Sequence, residues 1–574
     1  MPIARPASDP DPDPDVPPRP TSSEFRGVFR DDLPARAVYS EAAGIAQVVP
    51  RAVAVPADEA DAAALVRWAA RTGTPLVPRG SGSSMAGGAV GDGVIVDLSR
   101  LNAVGTADQA TRTIRVGPGA LRDQVDAAAR AVGLQFPVDP SSGAYCTVGG
   151  MASTNSAGAH TLRYGAMRQW VEALDVVFVD GTRAELRRGA PPPDVEPVRR
   201  FLARAGDGLL AAERASPSRH PGVRKESSGY GLAAYAQSGE LVDLFVGSEG
   251  TLALIVGLEL RLASLFPETG SVLGAFDTLE AAVDAAIGAR DAGASACELL
   301  DRTFLDVARR GGARVPAAPG AEAVLLAEVE GASHEACVAL AEQLASGFRA
   351  AGASDVALAL DADTEEAMWE LRHAASPILS RLDPALKSMQ FIEDGCVPPP
   401  RLAEYVRGVR AALERQGMRG VIFGHAGDAH VHVNPLVDVR DPSWRARVDA
   451  LLTEVTELAA RLGGTLSGEH GDGRLRAPLL GRVWPPESLA RFAAVKQAFD
   501  PKGVLNPGAK IAAAGARAVD HIKYDPTLPP LPEPARRVLA RVERERAYAR
   551  SRLDLLDEER SAARAPLDSS PSAS

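Results

Sequence analysis

Three imidazoles and a carboxamide fall within ten residues of one stretch, Val421-Ile-Phe-Gly-His-Ala-Gly-Asp-Ala-His-Val-His-Val-Asn434, in a chain that has nine histidines. Val421 to Phe423 is an apolar strand run, Gly424 to Ala429 has the chemistry of a turn, and polar and apolar residues alternate from His430 onward. A strand's period of two puts His430, His432 and Asn434 on one face and Val431 and Val433 on the other. His425 precedes the turn and can fold back over the polar face. A second small polar loop, Ser467-Gly-Glu-His-Gly-Asp-Gly473, adds Glu469 and His470. Two imidazoles with one carboxylate suit a divalent cation that keeps positions open for a substrate. A turn with hydrogen-bonded histidines accounts for any one of these residues, but no structural need gathers so many.

The elements that would position this cluster begin with a strand, Val53 to Val55. Asp58 can cap a helix carrying Ala62, Leu65, Val66 and Ala69, and Gly73 can stop it. A strand from Pro75 to Pro78 then enters Arg79-Gly-Ser-Gly-Ser-Ser-Met-Ala-Gly-Gly88, and Val94 to Leu98 is a third strand, an α/β opening. In the loop, Gly80, Ser81, Gly82, Ser83 and Ser84 let backbone N–H groups converge on an anion such as a pyrophosphate. No helix follows at the distance a Gly-x-Gly-x-x-Gly turn needs, and the Gly-Lys-Ser/Thr end of an NTP-hydrolysing loop is absent. Small-residue loops recur at Pro140 to Gly143, Val148 to Gly158, Ser227 to Leu232 and Val246 to Leu252. Several such loops suit a long ligand, a dinucleotide rather than a single phosphate.

With 574 residues the chain can form two or more domains. A net charge of -11 argues against a nucleic-acid partner. Cys146, Cys297, Cys337 and Cys396 have no paired spacing, which excludes a cysteine-held cluster within the chain and points to a reducing compartment. Met1 to Pro20 has no apolar core for a signal peptide, and no run of 18 apolar residues occurs. The expectation is a soluble protein, cytoplasmic or peripheral at the inner face of a membrane.

Pro75 to Gly88, Thr147 to Gly158, Arg163 to Gly165, Gly247 to Leu252, the His425 stretch, the Glu469-His470 loop and Phe499-Asp-Pro-Lys-Gly-Val-Leu-Asn-Pro-Gly508 occur in one order. Together they resemble the flavin-dependent oxidoreductases of the vanillyl-alcohol-oxidase / p-cresol-methylhydroxylase type. The branch is that of D-lactate dehydrogenases, glycolate oxidase flavoprotein subunits and D-2-hydroxyglutarate dehydrogenases. The resemblance implies an α+β fold, with a two-subdomain FAD-binding domain at residues 23–265 and an α+β cap domain at 266–480. Residues 481–515 would return to the FAD domain, 516–574 form a charged tail, and the Asp-Pro-rich residues 1–22 are expected to be disordered.

By the same resemblance, Pro78 and Arg79 to Ser84 cradle the FAD pyrophosphate. Pro140, Ser141, Gly149, Gly150, Ser153, Ser156, Ala157 and Gly158 line the phosphate and ring. Glu249, Gly250, Thr251, Leu252 and Ile255 lie near the adenine, and Asn506 returns to the isoalloxazine. Ser83 and Ser84 stand where covalently linked relatives carry a histidine, so noncovalent FAD is expected. Cys146 sits one residue out of register with the flavin-linking cysteine of other relatives.

Trp369-Glu-Leu-Arg-His-Ala-Ala-Ser376 reads as the start of a helix. The resemblance gives Arg372 the substrate carboxylate through a bidentate fork, with Ser376 and Lys387 as further contacts. A Zn²⁺ or Mn²⁺ ion on His425, His432 and Glu469 would lower the pKa of a substrate hydroxyl. His470, with an ordinary pKa, is the expected base, Asn434 orients the substrate, and the hydride goes to flavin N5. His430 either ligates the metal or lines the pocket. The expected reaction oxidises D-lactate, D-2-hydroxyglutarate or glycolate to the 2-oxo acid.

The alternative is a flavin-carrying electron-relay subunit. No cysteine follows Cys396, so an iron–sulfur acceptor would be a separate partner; a quinone or cytochrome would also serve. Pro534 to Arg564 alternates Arg and Glu and reads as a solvated helix or a docking tail. A homodimer is compatible with the sequence. A flavin-free metal hydrolase would leave the glycine loops unexplained.

Overall fold

The computed structural model describes residues 17–312, 315, 320–373 and 386–564. Ser376 and the first sixteen residues of the expected disordered segment lie outside the described residues. The α/β opening consists of β1 (Val28–Arg30), β2 (Ala52–Val55), α1 (Glu59–Thr72), β3 (Leu76–Arg79) and β4 (Val94–Asp97). The strands form a sheet in the order β1-β2-β4-β3, with β4 parallel to both β2 and β3. The Asp58 carboxylate accepts from the Asp61 amide at the start of α1, and Gly73 ends it with φ 71°, as the sequence predicts.

A second, antiparallel sheet is built from β5 (Thr113–Val116), β6 (Val171–Val177), β7 (Arg183–Arg187) and β8 (Leu254–Arg261), in the order β5-β8-β6-β7. Val177, Leu254 and Val256 meet Leu65, Val66, Val94 and Val96 in one core, which joins the two sheets around α1. The run at Val148 is not a loop: it forms a short helix, α2 (Val148–Thr154). Thr147 caps it through the Gly150 amide and Asn155 closes it in the left-handed conformation, so capping and packing override the poor helix propensity of Gly149 and Gly150.

The cap domain alternates β9 (Glu268–Phe276), α3 (Leu279–Asp291), β10 (Ala296–Asp301), β11 (Ala323–Gly331), α4 (His334–Ala350), β12 (Asp355–Ala359) and α5 (Ala362–His373). It continues with β13 (Leu386–Ser388), α6 (Leu402–Arg415), β14 (Arg419–His425), β15 (His430–Asp438) and α7 (Trp444–Arg461). Its strands form one sheet in the order β12-β9-β11-β10-β14-β15-β13, with Gly395–Cys396 also paired to β15. Cys297, Leu299, Leu325, Ala327, Val431 and Val433 face a core shared with α3, α4, α6 and α7. The other face carries the polar residues of the site.

The helix holding Trp369 starts seven residues earlier than the sequence reading placed it, because Asp361 caps it at the Thr364 amide. Beyond the cap, α8 (Pro486–Phe499) stacks Phe499 on Phe178 and Phe201. The following segment returns to β3, where the Asn506 amide donates to the Leu76 carbonyl.

The described part of the charged tail packs against the protein. α9 (Glu533–Glu545) and α10 (Arg552–Arg564) form a hairpin on the first sheet. Ala535, Val538, Val542, Leu553, Leu555 and Leu556 cover Val53, Val55, Val77 and Ile95. On the outer faces Arg537 pairs with Glu533, and Arg541 with Glu545 and Glu558. All four cysteines are buried and free. Among the described residues no helix is long and apolar enough to cross a membrane.

Candidate active site

The polar face of the cap sheet brings the predicted residues together. Register places His425 opposite His430 and Phe423 opposite His432 between β14 and β15, and sets Glu298 of β10 opposite His425. His425, His430 and His432 thus share a face with Asn434 and Glu298. The loop after α7 brings Glu469 among the rings. His425 Nε2 lies 3.5 Å, His432 Nε2 3.4 Å and His430 Nδ1 4.0 Å from the Glu469 oxygens. Gly468 allows this approach, since a Cβ there would lie 2.6 Å from the His430 ring.

Each imidazole is tied through its other nitrogen. His425 Nδ1 is 2.5 Å from Glu298 Oε1, His432 Nδ1 is 2.8 Å from the Glu393 carbonyl, and His430 Nε2 is 2.8 Å from Asp394 Oδ1. Outer oxygens that fix tautomer and ring orientation, with the inner nitrogens converging, are what a metal site requires. His430 Nδ1 is buried without a hydrogen-bond partner. The four donor atoms lie within 4.8 Å of one another, so the residues fit a divalent cation, with His430 among those that could hold it.

The electrostatics agree. Burial pushes His430 down to about 3 and lowers His432, which keeps both rings neutral. Burial opposes ionisation of Glu469, but Lys225 and the imidazoles hold its carboxyl well below the usual range. His470 departs from the sequence expectation of an ordinary base. Burial alone would depress it, but Asp394 and Glu393 push it up to about 9. Its Nδ1 sits 3.1 Å from Glu393 Oε1, and its Nε2 is 3.7 Å from Glu469 Oε1.

This cluster ends a cleft of about 1060 Å³, at the upper limit for small-ligand sites. Along the cleft lie Pro78 to Ser84, Pro140, Ser141, Gly149, Gly150, Ser153, Ser156, Ala157, Gly158, Glu249, Gly250 and Ile255. Gly80 lets the first loop press on α2, since a Cβ there would meet Thr147 Oγ1 at 2.2 Å. The cap side is lined by Trp369 and Arg372 of α5, with Asn434 and His470. Arg372 Nε donates to Glu298 Oε2 at 2.6 Å, and its guanidinium lies 4.6 Å from the centre of the Phe423 ring.

Five expected side-chain contacts fall elsewhere. Lys387 pairs in register with Val437, on the sheet face away from His432, and its ammonium lies over Tyr524. Thr251 is turned inward to the Tyr230 hydroxyl, and Leu252 is buried in the second-sheet core. Asn506 is buried and donates to the Gly88 and Glu249 carbonyls, so it braces two cleft loops instead of facing the cleft. The Arg79 side chain is also turned beneath its loop, toward the Tyr39 and Ala89 carbonyls.

Sequence reasoning missed Glu298, Glu393, Asp394 and Lys225. Glu298 is the one charge inside the apolar run Ala296 to Leu300, and Glu393-Asp394 follows Phe391-Ile392; a charge breaking an apolar run was the available signal. Lys225, whose Nζ donates to Glu469 Oε2 and the Gly158 carbonyl at 3.0 Å each, sits in an ordinary charged run and gave none.

The chain matches two family models, the FAD binding domain over residues 50–187 and the C-terminal domain of FAD linked oxidases over residues 267–509. It is 31% identical to the glycolate oxidase subunit GlcD of Bacillus subtilis, covering 85% of this chain and 95% of that one. It is 30% identical to a probable mitochondrial D-lactate dehydrogenase of Danio rerio, over 80% and 84% of the two chains. Among solved structures, a 4-ethylphenol oxidase from Gulosibacter chungangensis superposes with a TM-score of 0.64 at 16% identity, over 85% and 95%.

Proposed function

The chain belongs to the FAD-linked oxidases of the vanillyl-alcohol-oxidase / p-cresol-methylhydroxylase type, and on that premise we propose that it oxidises a small D-2-hydroxy acid to the 2-oxo acid. The observation that carries this reading is the histidine cluster, with every outer nitrogen tied and every inner nitrogen turned toward Glu469, in the cleft that also holds Arg372 and the glycine loops. FAD, when bound, supplies the two-electron acceptor for the α-hydride. A divalent cation on His425, His430, His432 and Glu469 would polarise the substrate hydroxyl and oppose the upward shift of His470.

The chain's own residues do the rest. Arg372 binds the substrate carboxylate, and its tie to Glu298 fixes the distance from that carboxylate to the histidines. Asn434 orients the hydroxyl carbon. His470 holds or takes the hydroxyl proton at Nε2, while Glu393 steadies Nδ1. The cap sheet covers this end of the cleft and limits water.

An anaerobic screen with D-lactate, D-2-hydroxyglutarate and glycolate tests the proposal. Bound flavin should bleach with at least one acid, and lose that response after chelation. Flavin that stays oxidised with all of them sinks the reading. The similarity to a glycolate oxidase subunit favours a second reading, in which the chain relays electrons to a separate partner. Turnover of an artificial acceptor by the purified chain alone would count against that second reading.

A further inference from the structure

We propose that the C-terminal hairpin α9–α10 is a working part of the dinucleotide site: its connector walls the glycine-loop end of the cleft, and Arg552 with Arg79 supplies the positive charge beneath that loop for a diphosphate. The inference rests on reading the cleft as an FAD site. The matched family models end at residue 509, so the hairpin lies outside them.

The hairpin is held in one place by its apolar contacts with Val53, Val55, Val77 and Ile95. Arg546 closes α9 in the left-handed conformation, φ 50°, and turns the chain toward the cleft. Glu543, Arg546 and Tyr548 line the cleft together with Ser81 to Ser84. The Tyr548 ring lies 5.5 Å from that of Tyr145, which also lines the cleft. Two aromatic faces at one end of a cleft suit a planar or ribosyl portion of a ligand.

Arg552 braces the structure from behind. Its NH2 donates to the Ser81 carbonyl at 3.2 Å, and its NH1 to the Ala547 and Arg550 carbonyls at 3.1 Å each. Its guanidinium lies 5.3 Å from the centre of the Tyr548 ring. Only 3% of Arg552 and 3% of Arg79 is exposed. Arg552 Nε and Arg79 NH2 are both buried without a hydrogen-bond partner. Among the described residues neither guanidinium lies within salt-bridge distance of a carboxylate. The nearby Asp97 already accepts from the Tyr39 hydroxyl and the Ser99 amide. Burial and the neighbouring Arg79 push Arg552 down to about 10, the mark of a cation short of counter-charge. Two buried cations under a loop of small residues are costly unless an anion joins them, and the two charges of a diphosphate match.

The test uses the full chain stripped of flavin, titrated with FAD and followed by flavin fluorescence, with the release rate measured separately. Arg552→Met, which keeps bulk and drops the charge, should raise the FAD dissociation constant and the release rate roughly tenfold, the effect of one charge-assisted contact. Tyr548→Ala, at a half-buried connector position, should speed release in the same direction and serves if Arg552→Met does not fold. Arg544→Ala, on the exposed face of α9, should leave both constants unchanged. Variants at 548 and 552 that hold FAD as wild type does overturn the proposal and leave the flavin reading intact. A wild-type chain that takes up no FAD overturns both.

Discussion

Glu298 touches both halves of the proposed chemistry, since one oxygen meets His425 Nδ1 and the other accepts from Arg372 Nε. Glu298→Gln should lower bound metal or turnover roughly 10–100-fold, as loss of an outer-sphere carboxylate does; metal analysis beside steady-state kinetics reads both. Arg372→Lys keeps the charge but loses the planar fork, and KM for the hydroxy acid should rise more than roughly tenfold. At this scale the sequence was informative where spacing is local. The period of two put His430, His432 and Asn434 on one face, and the structure keeps them there. Glu298 and Asp394 were invisible as partners because only strand register and a loop crossing bring them to the histidines, and Lys387 was misplaced because its strand's face depends on pairing with Val437.

At the scale of elements, the cap sheet meets the flavin domain through a charged seam. His160, in the loop before Arg163, sits between Asp139 at 2.5 Å and Glu328 of β11 at 2.6 Å, and Tyr164 donates to Glu330. Burial opposes its charge, but the two carboxylates raise His160 well above its ordinary value. A raised folded-state pKa contributes stability that is complete below the unfolded value of about 6.5 and is lost as pH rises through the folded value. His160→Gln should therefore lower the melting midpoint most below about pH 6.5, and the gap from wild type should close as the solution becomes alkaline; a gap that widens with pH would falsify this account. Helix α1 was legible from its Asp58 and Gly73 caps. Helix α2 was not, because its glycines argue against a helix that Thr147 and its neighbours enforce. In the tail, Val538 and Val542 recur at helical spacing, but the surrounding charge hid the buried face.

At the scale of the whole molecule, the flavin cleft joins the first sheet, the second sheet, the cap and the C-terminal hairpin. A ligand bound there ties four units of the native state and none of the unfolded chain. The melting midpoint should climb with FAD concentration without a plateau, with about 2.7 kcal/mol gained at a hundredfold excess over the dissociation constant. Scanning calorimetry at graded FAD checks this, and a midpoint indifferent to FAD would count against the cleft.

Lys225 gives the histidine centre a further property. Its ammonium lies 3.0 Å from Glu469 Oε2 and is fully buried. With the divalent ion stripped out, the acid still has a resident counter-ion, and the three rings stay clamped from outside. A divalent ion held there could therefore leave and another enter without the surrounding strands coming apart. Chelated protein should keep its fold, read by its melting midpoint, and regain turnover on simple re-addition of Zn²⁺ or Mn²⁺.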